Sequence, residues 1–137
     1  MRVSQKLEYA CRAAIQLAKH HDGETPRRLD DIALQEHVPA NFLVQILSDL
    51  KQANLVISRR GKNGGYLLSA APSTITLSQV IEAVDPQIIE EPEVSEGASA
   101  QALHQIWRAA TEAFNESLKT TTLDKLSQSD EEPMYFI

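Results

Sequence analysis

Three cations are packed into one short stretch, Arg59-Arg60-Gly61-Lys62-Asn63-Gly64-Gly65-Tyr66. Guanidinium groups grip phosphate oxygens bidentately, and an ammonium holds them as a point charge. Glycine-rich backbone between the cations lets the chain reverse there. Arg27 and Arg28 form a second cationic pair. Contact with a phosphate backbone, or entry of an arginine into a minor groove, is the chemistry these residue types support. Asn41 and Gln45 supply a different chemistry. Their amides can pair bidentately with the major-groove edge of adenine. Each also has a plainer use as a solvated or turn-stabilising group, Asn41 especially because it lies near a helix start. No nucleophile–base pair, no Walker-type phosphate loop and no metal-ligand spacing is visible, so an enzyme is not expected.

These residues need elements to position them. Leu55-Val56-Ile57-Ser58 and Tyr66-Leu67-Leu68 are β-prone and flank the glycine-rich turn, so the stretch reads as a hairpin with a basic tip. Gly64, Gly65 and Tyr66 are expected to shape and anchor it. Three helical patterns come first. Residues 4–21 carry Leu7, Ala10, Cys11, Ala14, Ile15 and Ala18 at three-and-four spacing, with Ser4 as cap and Asp22-Gly23 as terminator. Cys11 lies on that stripe, as expected of a small core hydrophobe rather than an exposed redox thiol. Leu29 to Glu36 reads as a short second helix, and His37-Val38-Pro39 as a turn. A third helix runs from about Ala40 to Ala53, with Phe42, Leu43, Ile46, Leu47 and Leu50 as its buried face. Asn54 ends it in the left-handed region. Two short helices joined by a tight turn and followed by a basic hairpin form a winged helix-turn-helix pattern.

Beyond the hairpin, Thr76-Leu77-Ser78-Gln79 has the spacing of a capping box opening a helix that stops at Asp85-Pro86. Residues 86–99 change to prolines and glutamates and read as an acidic loop. Residues 100–119 form the longest helix, with Leu103, Ile106, Trp107, Ala110, Phe114 and Leu118 in one apolar stripe. A second copy of the chain is the simplest cover for it. The organisation expected is a DNA-binding domain over 1–85, the loop over 86–99, a dimerisation region over 100–126 and a flexible tail over 127–137 ending in apolar residues. The fold class is mainly α with a small β-hairpin wing: a winged helix-turn-helix plus a long dimerisation helix.

Charge follows the same division. The chain has a net charge of −6. Residues 1–70 hold ten Lys/Arg against seven acids, and residues 71–137 hold three against twelve. A basic half can meet phosphate, and an acidic half is kept away from it. The amino-terminus lacks an apolar signal segment and no run of about 18 apolar residues occurs. A cytoplasmic protein with no membrane association is therefore expected. The single cysteine excludes an intrachain disulfide.

Several segments together resemble one family. They are Tyr9-Ala10, Asn41 to Leu47 with Leu50, the Gly61 to Leu68 wing, Ile75-Thr76-Leu77 with Val80 to Val84, Leu103 to Trp107, and Thr121 to Leu126. The chain resembles the Rrf-two family of winged helix-turn-helix transcription regulators, of the IscR and CymR type, over nearly its whole length. The resemblance implies a homodimer joined through the long helix and bound to a pseudo-palindromic operator in double-stranded DNA. Arg27, Arg28, Asn41, Gln45, Arg59, Arg60 and Lys62 are the expected DNA contacts.

Many members of that family hold an iron–sulfur cluster with three cysteines in the acidic loop, and this sequence has none there. His104 and Glu8 match ligand positions of the cluster-binding branch, but without thiolates they cannot hold a conventional cluster. No cofactor and no metal are expected, and the chain is closest in character to the cluster-free, CymR-like branch. That likeness implies a repressor of cysteine and sulfur metabolism that takes its signal from O-acetylserine (thiol)-lyase. Peptides that enter that enzyme's active site end in a free isoleucine, and Tyr135-Phe136-Ile137 is similar. The other use of this tail is packing on its own dimer helix. The alternative within the family is an iron–sulfur or redox-sensing regulator.

Overall fold

The protein is described by a computed structural model covering residues 2–129. Helix α1 (Gln5–Lys19) starts where Ser4 Oγ accepts the Leu7 amide at 3.1 Å. Asp22 Oδ1 then accepts the amides of Glu24 and Thr25 at 2.8 and 2.7 Å, turning the chain after the helix. Helices α2 (Leu29–Glu36) and α3 (Ala40–Gln52) are joined through His37, which adopts a left-handed φ of 54°. Pro39 caps α3, where its missing N–H costs nothing. Asn54, at φ 62°, redirects the chain into β1 (Val56–Arg59). β1 pairs antiparallel with β2 (Gly65–Leu68), from Val56 opposite Leu68 to Arg59 opposite Gly65.

Helix α4 (Leu77–Val84) opens with the expected capping box. Gln79 N–H donates to Thr76 Oγ1 at 3.2 Å, and Thr76 N–H donates to Gln79 Oε1 at 2.8 Å. A short 3-10 turn, Pro86–Ile89, begins the acidic segment, and residues 90–99 form no helix or strand. Helix α5 (Ala100–Thr120) follows, then α6 (Leu123–Ser129). The sequence pattern places a tail from residue 127, whereas α6 extends through Ser129.

One core serves all the helices of the amino-terminal unit. Leu17, Ile32, Leu43, Ile46, Leu47, Leu50, Val56 and Val80 are almost wholly buried, and Leu123 of α6 joins them. Two backbone bonds sew α6 in place. Leu77 N–H donates to the Thr121 carbonyl at 2.8 Å, and Leu123 N–H donates to the Ile75 carbonyl at 2.9 Å. The Thr121-Thr122-Leu123 segment is thus a stitch across the start of α4. Leu123→Ala is expected to destabilise the fold by about 2–5 kcal/mol, read as a lower denaturant midpoint.

One expected core residue lies elsewhere. Phe42 is half exposed. The arc of α3 that meets the core is filled by Leu43, Ile46, Leu47 and Leu50, and Phe42 sits about a quarter-turn from its centre. Its ring instead meets Tyr9 of α1 edge-on, with centroids 6.2 Å apart.

Candidate nucleic-acid interface

Backbone hydrogen bonds fix the wing to the segment that precedes α2. Arg27 N–H donates to the Tyr66 carbonyl at 2.7 Å, and Tyr66 N–H donates to the Arg27 carbonyl at 2.8 Å. Arg27 thereby pairs with β2 as an isolated bridge, a one-residue third strand beside the hairpin. Gly65 lies against this bridge at φ 153°, and a Cβ there would collide with the Arg27 carbonyl. Gly64 N–H donates to the Gly61 carbonyl at 3.0 Å and closes the tip. The glycines and Tyr66 therefore shape and anchor the wing as the sequence suggested.

This docking gathers five of the seven expected DNA contacts. Arg27, Arg28, Arg59, Arg60 and Lys62 line one open trough of about 700 Å³ between the start of α2 and the wing tip. Glu24 and Asp31 also line it, so the trough is cationic but not uniformly so. Arg28, Arg59, Arg60 and Lys62 are exposed. Arg27 is half-buried, and its Nε has no partner among the described residues. His20 has its pKa lowered by burial and by the charges of Arg27 and Lys19. The last turn of α3 is tied to the wing as well, because Lys51 Nζ donates to Ser58 Oγ at 2.7 Å.

Asn41 and Gln45 are exposed on the face of α3 opposite its buried arc, outside the trough. Ser48 and Val44 share that outer side. Gln45 is not a free amide: its Nε2 donates to Asp49 Oδ1 at 3.1 Å. Asp49 Oδ2 in turn meets Lys6 Nζ of α1 at 2.8 Å. The Asp49 pKa is lowered, chiefly by the Lys6 hydrogen bond and further by Gln45. Sequence reasoning missed Asp49. The available signal was its four-residue spacing from Gln45, which places the two side chains one above the other on a helix.

The apolar stripe of α5 divides in two. Leu103, Ile106 and Trp107 are at least half exposed, and Ala110 is exposed. Phe114 and Leu118 are half-buried and line a cavity of about 290 Å³ with Leu7, Cys11 and Ile15 of α1 and Ile81 of α4. No residue of α5 is buried within the single chain. Cys11 is a core-edge residue whose pKa is raised to about 12 by burial and then by the Glu8 charge. Glu8 itself is exposed and pairs with Arg12 at 3.3 Å. Tyr135, Phe136 and Ile137 lie outside the described residues.

Comparison with known proteins decides the family. The Rrf2 model, described as an iron-dependent transcriptional regulator, matches residues 3–129. The chain belongs to the Rrf2 family. It is 36% identical to the HTH-type transcriptional regulator CymR of Bacillus subtilis over 129 residues, covering 93% of this chain and 90% of that one. It is 34% identical to the regulator IscR of Erwinia tasmaniensis over 136 residues, covering 96% and 81%. The solved structure of CymR, the global cysteine regulator of B. subtilis, aligns with a TM-score of 0.83 at 33% identity, over 94% of this chain and 98% of that one. This Rrf2 protein is thus a DNA-binding transcriptional regulator of the CymR and IscR type and not an enzyme. Its architecture is the winged helix shared with CymR. No helix among the described residues is long and apolar enough to cross a membrane.

The family description names iron, so the donor set matters. Iron–sulfur clusters are held by cysteine thiolates. The sole cysteine of this chain is Cys11, placed on α1 and held protonated by its surroundings. Residues 86–101 contain no cysteine. His104 has a buried Nδ1 without a partner, but no group of three or more His, Cys, Asp or Glu side chains is gathered among the described residues. These donors do not fit a thiolate-held cluster.

The raised Cys11 pKa predicts an unreactive thiol. At about pH 8 an alkylating reagent should leave the folded protein unmodified and label it once unfolded. The fold favours the neutral thiol, so its contribution to stability is intact below the ordinary value of 9.0 and is lost as pH rises toward about 12.

Proposed function

We propose that this regulator is a cytoplasmic homodimer that represses genes of cysteine and sulfur metabolism by occupying a pseudo-palindromic operator. The observation that carries the DNA-binding arm is the convergence of Arg27, Arg28, Arg59, Arg60 and Lys62 on one trough beside α2. In this reading the wing cations and the α2 arginines hold the phosphate backbone or the minor groove, while Asn41 and Gln45 enter the major groove from α3. Phosphate contacts set register, and base-edge contacts set sequence. The dimer arm rests on Leu103, Ile106 and Trp107, three large apolar side chains left half exposed or more on one helix. Burial of such a stripe against a symmetry-related copy gives the two-fold axis that a palindromic site requires. In this arrangement Ala110 lies in the contact, with Phe114 and Leu118 at its inner edge.

The metabolic assignment rests on likeness to CymR and on the missing loop cysteines. The signal in this proposal is O-acetylserine (thiol)-lyase, engaged through Tyr135, Phe136 and Ile137. Deletion of Ile137 should abolish retention of the protein on immobilised O-acetylserine (thiol)-lyase. Retention unaffected by the deletion would remove the tail from the contact.

The DNA-binding arm has its own test. Arg59→Ala combined with Arg60→Ala should weaken binding to all sequences alike. It should also flatten the dependence of log K on log salt by about 0.9 for each phosphate that is no longer neutralised. Gln45→Ala should instead relax base preference at one operator position while leaving the salt slope in place. An unchanged slope in the double variant would exclude these arginines from the interface.

A further inference from the structure

We infer that Asp49 is a specificity-determining residue: it takes one N–H of the Gln45 amide and so turns the carbonyl oxygen outward, as the leading group offered to a base edge. The inference rests on the reading of Gln45 as a base contact and deepens it. A glutamine side chain presents a donor and an acceptor that exchange places by a half-turn of the terminal amide. An unconstrained amide can therefore meet either a base that donates or one that accepts. Here that freedom is removed. The Asp49 carboxylate lies 3.1 Å from Gln45 Nε2, and an ionised carboxylate only accepts. One N–H of the amide must face Asp49, which turns Oε1 away from it and leaves only the second N–H beside that oxygen.

The carboxylate is itself held in place. Lys6, on a different helix, pairs with its second oxygen at 2.8 Å. Asp49 is only partly exposed, at 20% of its side-chain surface. Its pKa is lowered by Lys6 first, so it remains charged at neutral pH and the polarity of the contact does not reverse. Lys6 also offsets a negative charge that would otherwise stand unneutralised near DNA phosphates. The chain of contacts runs from α1 through Asp49 to the outward amide of α3.

The base preference follows from donor and acceptor chemistry. In the major groove, cytosine offers the N4 amino group and adenine the N6 amino group as donors. Thymine O4 and guanine O6 only accept. An outward Oε1 favours adenine or cytosine over thymine and guanine at the position facing Gln45, and the second N–H of the amide can add a bond to adenine N7. Asp49→Asn keeps the size of the side chain but can either accept from or donate to Gln45, so it no longer dictates which way the amide turns.

The test is selection from a randomised duplex library by the full-length protein, comparing wild type with Gln45→Ala, Asp49→Asn and Asp49→Glu. Thermal melting checks that each variant is folded. Wild type should favour adenine or cytosine over thymine and guanine about five-fold or more at the position that Gln45→Ala relaxes. Asp49→Asn should bring that ratio close to one, and Asp49→Glu, which restores an acceptor-only partner, should recover it. A merely structural or electrostatic role of Asp49 would change affinity for all sequences equally and leave the ratio untouched. Retention of the preference in Asp49→Asn, or a wild-type preference for thymine or guanine, overturns the orienting role. If Gln45→Ala relaxes no position, the reading of Gln45 as a base contact fails, and the role assigned to Asp49 goes with it.

Discussion

The two backbone hydrogen bonds between Arg27 and Tyr66 are the feature from which the interface follows. A two-stranded hairpin alone is marginally stable in water, and its tip would wander. Pairing β2 with Arg27 gives the hairpin a one-residue third strand and fixes it against the start of α2. The residues that make this contact possible are also those that bring charge. Arg27 supplies the backbone partner and a cation at once, and Gly65 leaves room for the Arg27 carbonyl. Like charges packed this closely repel one another. Their concentration in one trough is tolerated because Glu24 and Asp31 stand among them and the trough is open to solvent.

The second half of the molecule answers a different need. α6 is sewn to α4 and contributes Leu123 to the core, so the distal end of α5 is anchored. The proximal end of α5 is not. Leu103, Ile106 and Trp107 stand uncovered there, beside a loop rich in glutamate. The segregation of charge follows this division, with cations gathered where phosphate would be met and carboxylates concentrated where the helix leaves the domain.

Much of this was legible in the residues. The capping box at Thr76 and Gln79, the left-handed stop at Asn54 and the hairpin with its glycine turn are local, and local chemistry settles them. The ends of α1 and α3 lie close to their expected positions for the same reason. The misplacement of Phe42 has another cause. Hydrophobic periodicity tells which arc of a helix is apolar but not how wide an arc the core accepts. The core closes on Leu43, Ile46, Leu47 and Leu50, and Phe42 is left to pack edge-on with Tyr9. The Arg27–Tyr66 rung and the Lys6–Asp49 pair join residues far apart in sequence, and no pattern in a single chain announces them. The tail containing Ile137 lies beyond the described residues and remains a matter of sequence.

In the proposed arrangement a cationic head would meet duplex DNA while exposed apolar helices join two copies. Sedimentation of the full-length chain, alone and with a mixed-sequence duplex across a salt series, addresses both halves at once. A dimer in free solution is expected, binding the duplex at low salt and releasing it steeply as salt rises. A monomer that ignores the duplex at low salt would contradict this arrangement.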